Sequence, residues 1–361
     1  MDVKKVLILT SYKTGSGHKS SSNAIEKKLN DAGYDTRQVD IFPLMGKTGN
    51  LAEESYIPIT TRTPYLFYAT EKFSDIAPSV IHTTVYQKLK NSLLAEINSY
   101  NPDLIISVQV IATKAVSKIL KENNLNIPFY VGVIDLINPP KMWMDKNADM
   151  TFVPTEEIRK YYIENGFAQD KVLVSGFPVR DDIILRNTPK EINNRVHILM
   201  VNTSTNLKKN IRFVQEVSRL ENITIYFICG LDKRLYRTLC EMKFNGEIDN
   251  IEIYDFVNNM NEFLAHAHII LTKAGPNVIT ESIRSDTAIV VTGHIKGQEN
   301  HNYEYVVDNG YGLKCEDPDE IYDVLYDFIN TDKLKTCLDN IVRHEIGNGA
   351  EFIAEYVHNN I

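Results

Sequence analysis

The chain has 361 residues, which is enough for two domains and a large buried core. Apolar residues make up 43% and charged residues 24%, as in ordinary soluble globular proteins. The net charge of −8 argues against a general nucleic-acid binder, which needs a basic surface, so we expect no nucleic-acid partner. The charge is uneven, because residues 1–200 carry 24 Lys and Arg against 22 Asp and Glu, whereas residues 201–361 carry 15 against 25.

The sequence contains no recognisable targeting segment. Its first apolar run, Val6–Leu9, is too short for a signal peptide, and no apolar stretch approaches the ~18 residues of a membrane span. We therefore expect a cytoplasmic protein. Four cysteines without paired or metal-binding spacing predict free thiols: Cys229, Cys240, Cys315 and Cys337.

Short apolar strands alternate with helical patterns, which predicts parallel sheets built from βαβ units. The first predicted strands are Val6–Thr10, Asp35–Ile41, Leu104–Val108, Phe129–Ile134, Asp149–Val153 and Val172–Ser175. A second series comprises Val196–Val201, Ile223–Cys229, Ile251–Tyr254, Ile269–Thr272 and Ala288–Thr292. Gly, Pro and polar residues between about 176 and 194 indicate a linker. The predicted fold is α/β, with two doubly wound domains and ligands at the carboxyl ends of the strands.

The segment 46–100 departs from this alternation. It combines aromatic and basic side chains, and we predict helices inserted between the second and third strands. Such helices can lie in a membrane interface, or their rings can pack on the core of the first domain. The aromatic residues are Tyr56, Tyr65, Phe67, Tyr68, Phe73 and Tyr86.

An acidic helix is predicted near residue 321. Apolar residues at helical spacing from Ile321 to Ile329 define one face, and acidic residues from Asp319 to Asp327 define the other. The sequence of residues 317–319, Asp-Pro-Asp, is interpreted as the N-cap of this helix, with Pro318 in its first position.

The first βα turn contains Gly15, Gly17 and His18. Its glycines let the backbone approach a ligand, but it lacks the first Gly of a P-loop and the third Gly of a dinucleotide-binding turn. A neutral His18 imidazole at this position could take a proton from a substrate hydroxyl, or the histidine could be structural.

Two further clusters follow strands of the second series. Thr272 is followed by Lys273, a Gly275–Pro276 turn and a helix beginning near Asn277, whose free N–H groups could bind a diphosphate. Glu281 could accept hydrogen bonds from ribose hydroxyls or simply cap the helix.

The second cluster, Gly297–Asn302, is rich in amide and carboxylate groups, which could bind the hydroxyls of a sugar. Alternatively, it forms a plain polar loop and the N-cap of a helix. His266 and His268 form an HxH pattern but are interpreted as structural because no third ligand is nearby, and the DxD pattern of residues 317–319 is assigned to the helix start. We predict no metal site and no cofactor.

These motifs together resemble the monogalactosyldiacylglycerol synthase and processive diacylglycerol glucosyltransferase branch of glycosyltransferase family 28. The family has the GT-B fold, with two Rossmann-like domains facing a cleft. The resemblance covers nearly the whole chain and rests on Val6–His18, Asn101–Ser107, Gly176–Arg180, Thr272–Pro276, Glu281, Gly297–Glu299 and Asn309–Gly310.

The resemblance implies inverting transfer of glucose or galactose from a UDP-sugar to diacylglycerol at the cytoplasmic membrane face. UDP-glucose or UDP-galactose would be the donor, and diacylglycerol or an anionic membrane surface the partner. It implies a first domain of residues 1–185, rejoined by a helix in 347–361, and a donor-binding domain of residues 186–346.

The resemblance also implies roles for individual residues. His18 would be the base, and Asp135 a second candidate for the base or the partner of His18. The residues predicted to bind the donor are Gly17, Arg180, Lys273, Gly275, Pro276, Asn277, Glu281, Gln298 and Glu299.

Several positions depart from the family pattern, mainly on the acceptor side. Ile134 and Pro140 replace a Thr and a His, Gln109 and Val110 replace a His- or Phe-Pro pair, and Asn277 replaces a Gly. Two alternatives therefore stay open: transfer to a polyprenyl-linked or soluble acceptor, and a catalytically silent UDP-sugar-binding protein.

Overall fold

The computed structural model describes residues 3–14, 16–62, 78–183, 185–202, 206–295, 299–344 and 346–361. The chain forms two compact units. One extends to Asp181 and includes Gly347–Ile361, and the other contains Asp182–Ile295 and Glu299–Ile346. Three of the described residues, Asp182, Ile183 and Leu185, therefore lie between the observed boundary and the one predicted at residue 185.

The first unit is built on a six-stranded parallel sheet of order β2-β1-β3-β4-β5-β6. Its strands are β1 Lys5–Thr10, β2 Asp35–Asp40, β3 Leu104–Ser107, β4 Phe129–Gly132, β5 Met150–Val153 and β6 Val172–Val174. Its helices are α1 Ser16–Asp31, α2 Ile41–Leu44, α3 Lys47–Arg62, α4 Pro78–Tyr100, α5 Thr113–Glu122 and α6 Glu156–Glu164, with 3₁₀ turns at Lys141–Trp143 and Gln169–Lys171. The central strands are apolar on both faces, as expected for a sheet covered by helices on both sides.

The second unit contains a six-stranded parallel sheet of order β12-β11-β10-β7-β8-β9. Its strands are β7 Val196–Val201, β8 Ile223–Ile228, β9 Ile251–Tyr254, β10 Ile269–Lys273, β11 Ala288–Gly293 and β12 Gly312–Lys314. Its helices are α7 Leu207–Val217, α8 Lys233–Phe244, α9 Met260–His266, α10 Pro276–Arg284, α11 Asn300–Asp308, α12 Ile321–Asn330 and α13 Lys333–Arg343.

Each sheet has one point at which the strand order reverses. In the first unit the chain leaves β1 toward β2 and later returns to β3 on the other side of β1. In the second unit β7 lies between β8 and β10 in the same way. Crevices at the carboxyl ends of such strand pairs are where doubly wound folds bind ligands.

The last helix, α14 Gly349–Asn360, packs on the first unit. The Tyr356 ring lies edge-on to Phe152 of β5 at 5.3 Å and to Tyr130 of β4 at 5.8 Å between centroids. This helix therefore covers strands β4 and β5, which lie far from it in the sequence.

The two chain segments that lead into and out of the second unit are paired. The buried Asn348 side chain accepts from the Val179 N–H at 3.1 Å and donates to the Val179 carbonyl at 3.0 Å. Gly176 has φ of +79°, and a Cβ there would lie 2.5 Å from the Gly347 carbonyl oxygen. A side chain at position 176 would therefore disrupt this pairing.

The structure confirms the eleven predicted strands within a few residues and adds β12. The prediction that Asp317 caps the acidic helix is wrong. Its carboxylate accepts from the Asp319 N–H at 2.9 Å in a turn, and α12 begins only at Ile321. The turn forms because an Asp side chain bonds readily to the backbone two residues on.

The predicted helical insertion is α3 and α4. Tyr86 is buried there, while Tyr65, Phe67, Tyr68 and Phe73 lie outside the described residues. In the described ranges, none of the helices has the length and apolar character needed to cross a bilayer.

Candidate active site

His18 lies in the first turn of α1, beside Gly17, directly after the loop that follows β1. Its Nδ1 is 2.8 Å from the carbonyl oxygen of Val108, just beyond β3. The histidine therefore joins the two strands at which the strand order reverses. Because a carbonyl oxygen only accepts, Nδ1 carries the hydrogen, and Nε2 of the neutral ring keeps its lone pair.

The surroundings of His18 favour the neutral ring. Burial lowers its pKa below the ordinary value, and this outweighs the opposite effects of the Val108 hydrogen bond and of the Asp135 charge. The Asp135 carboxylate accepts from the Trp143 indole N–H at 2.5 Å. At neutral pH the imidazole can accept a proton, and Asp135 favours the cation that results.

A network of polar side chains holds the His18 turn and was not predicted from the sequence. The Thr10 hydroxyl donates to the His18 carbonyl at 3.3 Å. The buried Gln109 amide donates to the Ser11 hydroxyl at 3.0 Å, and Ser11 is in turn bonded to Thr14. The signal in the sequence that could have indicated this network is Gln109, which departs from the family pattern. A buried amide needs hydrogen-bond partners, and polar residues near it were the candidates.

The predicted diphosphate turn lies at the corresponding point of the second sheet. β10 ends at Lys273, Gly275 is the N-cap of α10, and Pro276 is its first residue. The N–H groups of Asn277 and Val278 have no acceptor within the helix, because helical bonding begins with the Ile279 N–H. Together with the helix dipole they form a site suited to an anion.

Glu299 lies against this turn and is buried. Its Oε2 accepts from the Ile295 N–H at 2.7 Å, and its Oε1 is 4.0 Å from the Lys273 ammonium. A Cβ on Gly275 would lie 3.8 Å from that Oε1, an ordinary van der Waals distance, so the carboxylate packs directly beside the turn. The Asn302 amide, which was not predicted as a site residue, donates to the Ala274 carbonyl at 2.8 Å and anchors α11 to the turn.

The other predicted residues occupy separate places. Glu281 is buried within α10, six residues after Gly275. Arg180 is partly buried and belongs to the first unit, one residue before its boundary. Gln298 lies outside the described residues. The structure thus groups His18 with Asp135 in one unit, and Lys273, Gly275 and Glu299 in the other.

His268 is a structural residue, as interpreted from the sequence. Its Nδ1 accepts from the His197 N–H at 3.0 Å, and its Nε2 bonds the Glu191 carbonyl at 3.0 Å. Across the described ranges, no group of three or more His, Cys, Asp or Glu side chains is arranged to hold a metal ion.

Family models and solved structures match most of the chain. The family model for monogalactosyldiacylglycerol (MGDG) synthase matches residues 18–179, and that for the glycosyltransferase family 28 C-terminal domain matches residues 198–336. The crystal structure of MurG from Acinetobacter baumannii matches with a TM-score of 0.67 and 16% identity, covering 99% of both chains.

Two relatives illustrate the similarity in sequence. A probable monogalactosyldiacylglycerol synthase of Nicotiana tabacum is 26% identical over 94% of this chain and 68% of its own length. A processive diacylglycerol beta-glucosyltransferase of Bacillus mycoides is 24% identical over 94% of this chain and 90% of its own length. The chain thus spans about two thirds of the plant relatives it matches.

The fold, with its two Rossmann-like units, is that of a GT-B glycosyltransferase. The predicted resemblance to the monogalactosyldiacylglycerol synthase and diacylglycerol glucosyltransferase branch of glycosyltransferase family 28 is confirmed, and the chain is a glycosyltransferase.

Proposed function

We propose that the protein transfers glucose or galactose from a UDP-sugar to diacylglycerol, with inversion at the anomeric carbon. The observation that carries this proposal is the neutral, oriented His18 imidazole at the strand-order reversal of the first sheet. The names of its relatives support diacylglycerol as the acceptor.

In this mechanism Nε2 of His18 accepts the proton of the acceptor hydroxyl. The hydroxyl oxygen forms a bond to the anomeric carbon while the bond from that carbon to the diphosphate oxygen breaks, so a single displacement inverts the configuration. Asp135 stabilises the resulting imidazolium, because its negative charge favours the protonated ring.

The leaving UDP would bind at α10. Its diphosphate would accept from the N–H groups of the first turn, with Lys273 and Arg180 supplying positive charge. Glu281 would accept from the ribose hydroxyls, and Gln298 and Glu299 from the sugar hydroxyls. In this proposal these groups, rather than a metal ion, stabilise the departing diphosphate, so turnover should persist in excess EDTA.

The acceptor would place the enzyme at a membrane surface, peripherally and on the cytoplasmic face. Residues 1–200 have a surplus of only two basic side chains, and each contributes about 1 kcal/mol near an anionic surface. Apolar contacts from the 46–100 segment would have to supplement this attraction.

A polyprenyl-linked or soluble acceptor is the second candidate. It is favoured by Gln109, which replaces an acceptor-side family residue and is committed to the Ser11 hydroxyl. Acceptor panels offered with the same UDP-sugar separate the two candidates, and UDP-sugar binding without any transfer would support a silent binding protein.

The decisive experiment is product analysis with UDP-glucose and UDP-galactose on diacylglycerol-containing vesicles. His18→Gln should lower turnover by about 10²- to 10⁴-fold, the usual contribution of a general base, while UDP binding stays intact. In the wild type, kcat/KM should decline only below pH 6.5, because the pKa of His18 is lowered from that ordinary value.

His358→Gln on the exposed side of α14 is the matched control and should keep full turnover. If His18→Gln keeps most of the activity, the histidine is not the base. If the wild type glycosylates no lipid but does glycosylate another acceptor, diacylglycerol is the wrong acceptor.

A further inference from the structure

A cavity of about 670 Å³ lies in the first unit between α4 and α5. Lys114, Lys118 and Lys121 line it from α5, and His82 and Tyr86 line it from α4. The three lysines follow helical spacing and therefore share one face of α5. None of these residues has a role in the proposed transfer reaction.

One acidic group of the cavity, Glu122, is already engaged. Its carboxylate accepts from the Tyr86 hydroxyl and lies 3.7 Å from the Lys118 ammonium. Lys118 is also 4.0 Å from the centre of the Tyr86 ring. These three side chains satisfy one another and leave no net charge.

A second acidic group, Asp145, lies buried beside the cavity. It accepts from the Ser117 hydroxyl and from the Asn147 backbone and side-chain N–H groups, both at 3.0 Å. Its bonds are thus directed to its own loop and to α5.

Two ammonium groups remain. Within the described ranges, neither Lys114 nor Lys121 forms an ion pair. Lys114 is partly buried and Lys121 is exposed, so positive charge is present both inside the cavity and at its edge.

His82 is the least satisfied group of the cavity. Both ring nitrogens are buried, and neither has a hydrogen-bond partner among the residues that the structure describes. Burial, together with the nearby Lys114 charge, lowers the pKa of His82, while Asp145 opposes that effect. Buried polar atoms are seldom left without partners in folded proteins, so this ring points to a ligand.

We propose that the cavity between α4 and α5 binds a phosphate group, held by the ammonium groups of Lys114 and Lys121 and by the His82 imidazole. A phosphate presents several acceptor oxygens and can therefore meet donors from both helices at once. The cavity is in the size range of sites for whole small molecules, so the phosphate belongs to a larger molecule. That molecule is either a soluble phosphate ester or a phospholipid headgroup.

Titration calorimetry with glycerol 3-phosphate tests the soluble source. Flotation with phosphatidylcholine vesicles, with and without phosphatidic acid, tests the lipid source. The exposed Lys121 can be changed without disturbing the core, and Lys121→Gln should weaken phosphate binding about tenfold, as expected for one charged hydrogen bond. Lys88→Gln, an exposed lysine of α4, is the control of equal charge and should bind like the wild type.

The pH dependence distinguishes a direct role of His82 from a structural one. The charged and titratable groups around it are Lys114, Lys118, Lys121 and Glu122 of α5, Tyr86 of α4, and Asp145 of the adjoining loop. A bound phosphate favours the protonated ring, so lowering the pH from about 7.5 to about 6 should strengthen wild-type binding relative to His82→Gln. Protonation of the phosphate itself affects both proteins equally, so it cancels in the ratio of the wild-type affinity to the His82→Gln affinity.

Binding of glycerol 3-phosphate supports the site with a soluble ligand. Selective binding of phosphatidic acid vesicles that Lys121→Gln weakens supports it with a lipid ligand. The proposal is overturned if neither probe binds the wild type, if Lys88→Gln weakens binding as much as Lys121→Gln, or if the affinity ratio to His82→Gln does not change with pH.

Discussion

Lys190, in the second unit, is a cationic side chain enclosed by protein. Its Nζ lies 2.6 Å from the carbonyl oxygens of Leu264 and Ala267, and 2.8 Å from the Thr287 hydroxyl. Burial lowers its pKa from the ordinary 10.5 to about 7, despite the nearby Asp286. Lys190 donates to both carbonyls and to the Thr287 hydroxyl, and that hydroxyl in turn donates to the Leu264 carbonyl at 3.1 Å.

Lys190→Met should destabilise the protein by about 2–4 kcal/mol, because the buried Leu264 and Ala267 carbonyls lose the Lys190 donor and the Thr287 hydroxyl can donate to only one of them at a time. Between pH 7 and 10.5 the unfolded chain binds more protons at this lysine than the folded chain, so this group makes stability rise with pH. Urea unfolding across that window should show a smaller rise in the variant. The exposed Lys335→Met is the control, and an equal pH slope in wild type and Lys190→Met would contradict the prediction.

At the scale of the element, the turn between β10 and α10 can be predicted from its own residues. Pro276 has no N–H to leave unpaired at the first helical position, and Gly275 is the N-cap that precedes it. The helix start predicted near Asn277 is confirmed at Pro276. The turn was predictable because its geometry follows from local backbone chemistry.

Glu281→Gln should weaken UDP binding about tenfold, because an amide accepts less strongly than a carboxylate from the ribose hydroxyls. Titration calorimetry with UDP measures the effect. Glu241→Gln, on the exposed face of α8, serves as the control of equal charge. If the dissociation constant for UDP is unchanged in Glu281→Gln, Glu281 does not bind the donor.

Elements that depend on distant partners could not be predicted. β12 has three residues, Gly312–Lys314, and it forms because it pairs with β11. A Cβ on Gly312 would overlap the Ile289 carbonyl of β11. The need for glycine at this position therefore becomes visible only when the partner strand is known. The contact between His18 and Val108 joins positions 90 residues apart, and sequence reasoning identified the histidine but not its tautomer.

At the scale of the molecule, the first unit depends on α14. Ile353, Ala354 and Val357 of this helix are buried, and Tyr356 contacts the rings of β4 and β5. The family resemblance implied this path, because it predicted that a helix in 347–361 rejoins the first domain.

A chain ending at Ile346 should keep the second unit folded but lose protection from hydrogen exchange in β4 and β5. The physical reason is loss of several buried apolar side chains, each worth about 1.5–3 kcal/mol. Mass spectrometry of exchanged peptides can compare these strands with β10 and β11. A chain shortened only to Val357 keeps the buried residues and is the control. Equal protection of β4 and β5 in both chains would show that α14 is dispensable.

The return of α14 also has a consequence for biosynthesis. A ribosome delivers the six strands of the first sheet before any of the second unit, but it delivers the helix that covers β4 and β5 only afterwards. We expect the second unit, whose residues precede α14, to acquire protease resistance first on stalled nascent chains. Until α14 emerges, the apolar surface of β4 and β5 is available to chaperones, so the half of the enzyme that is made first is the half that finishes folding last.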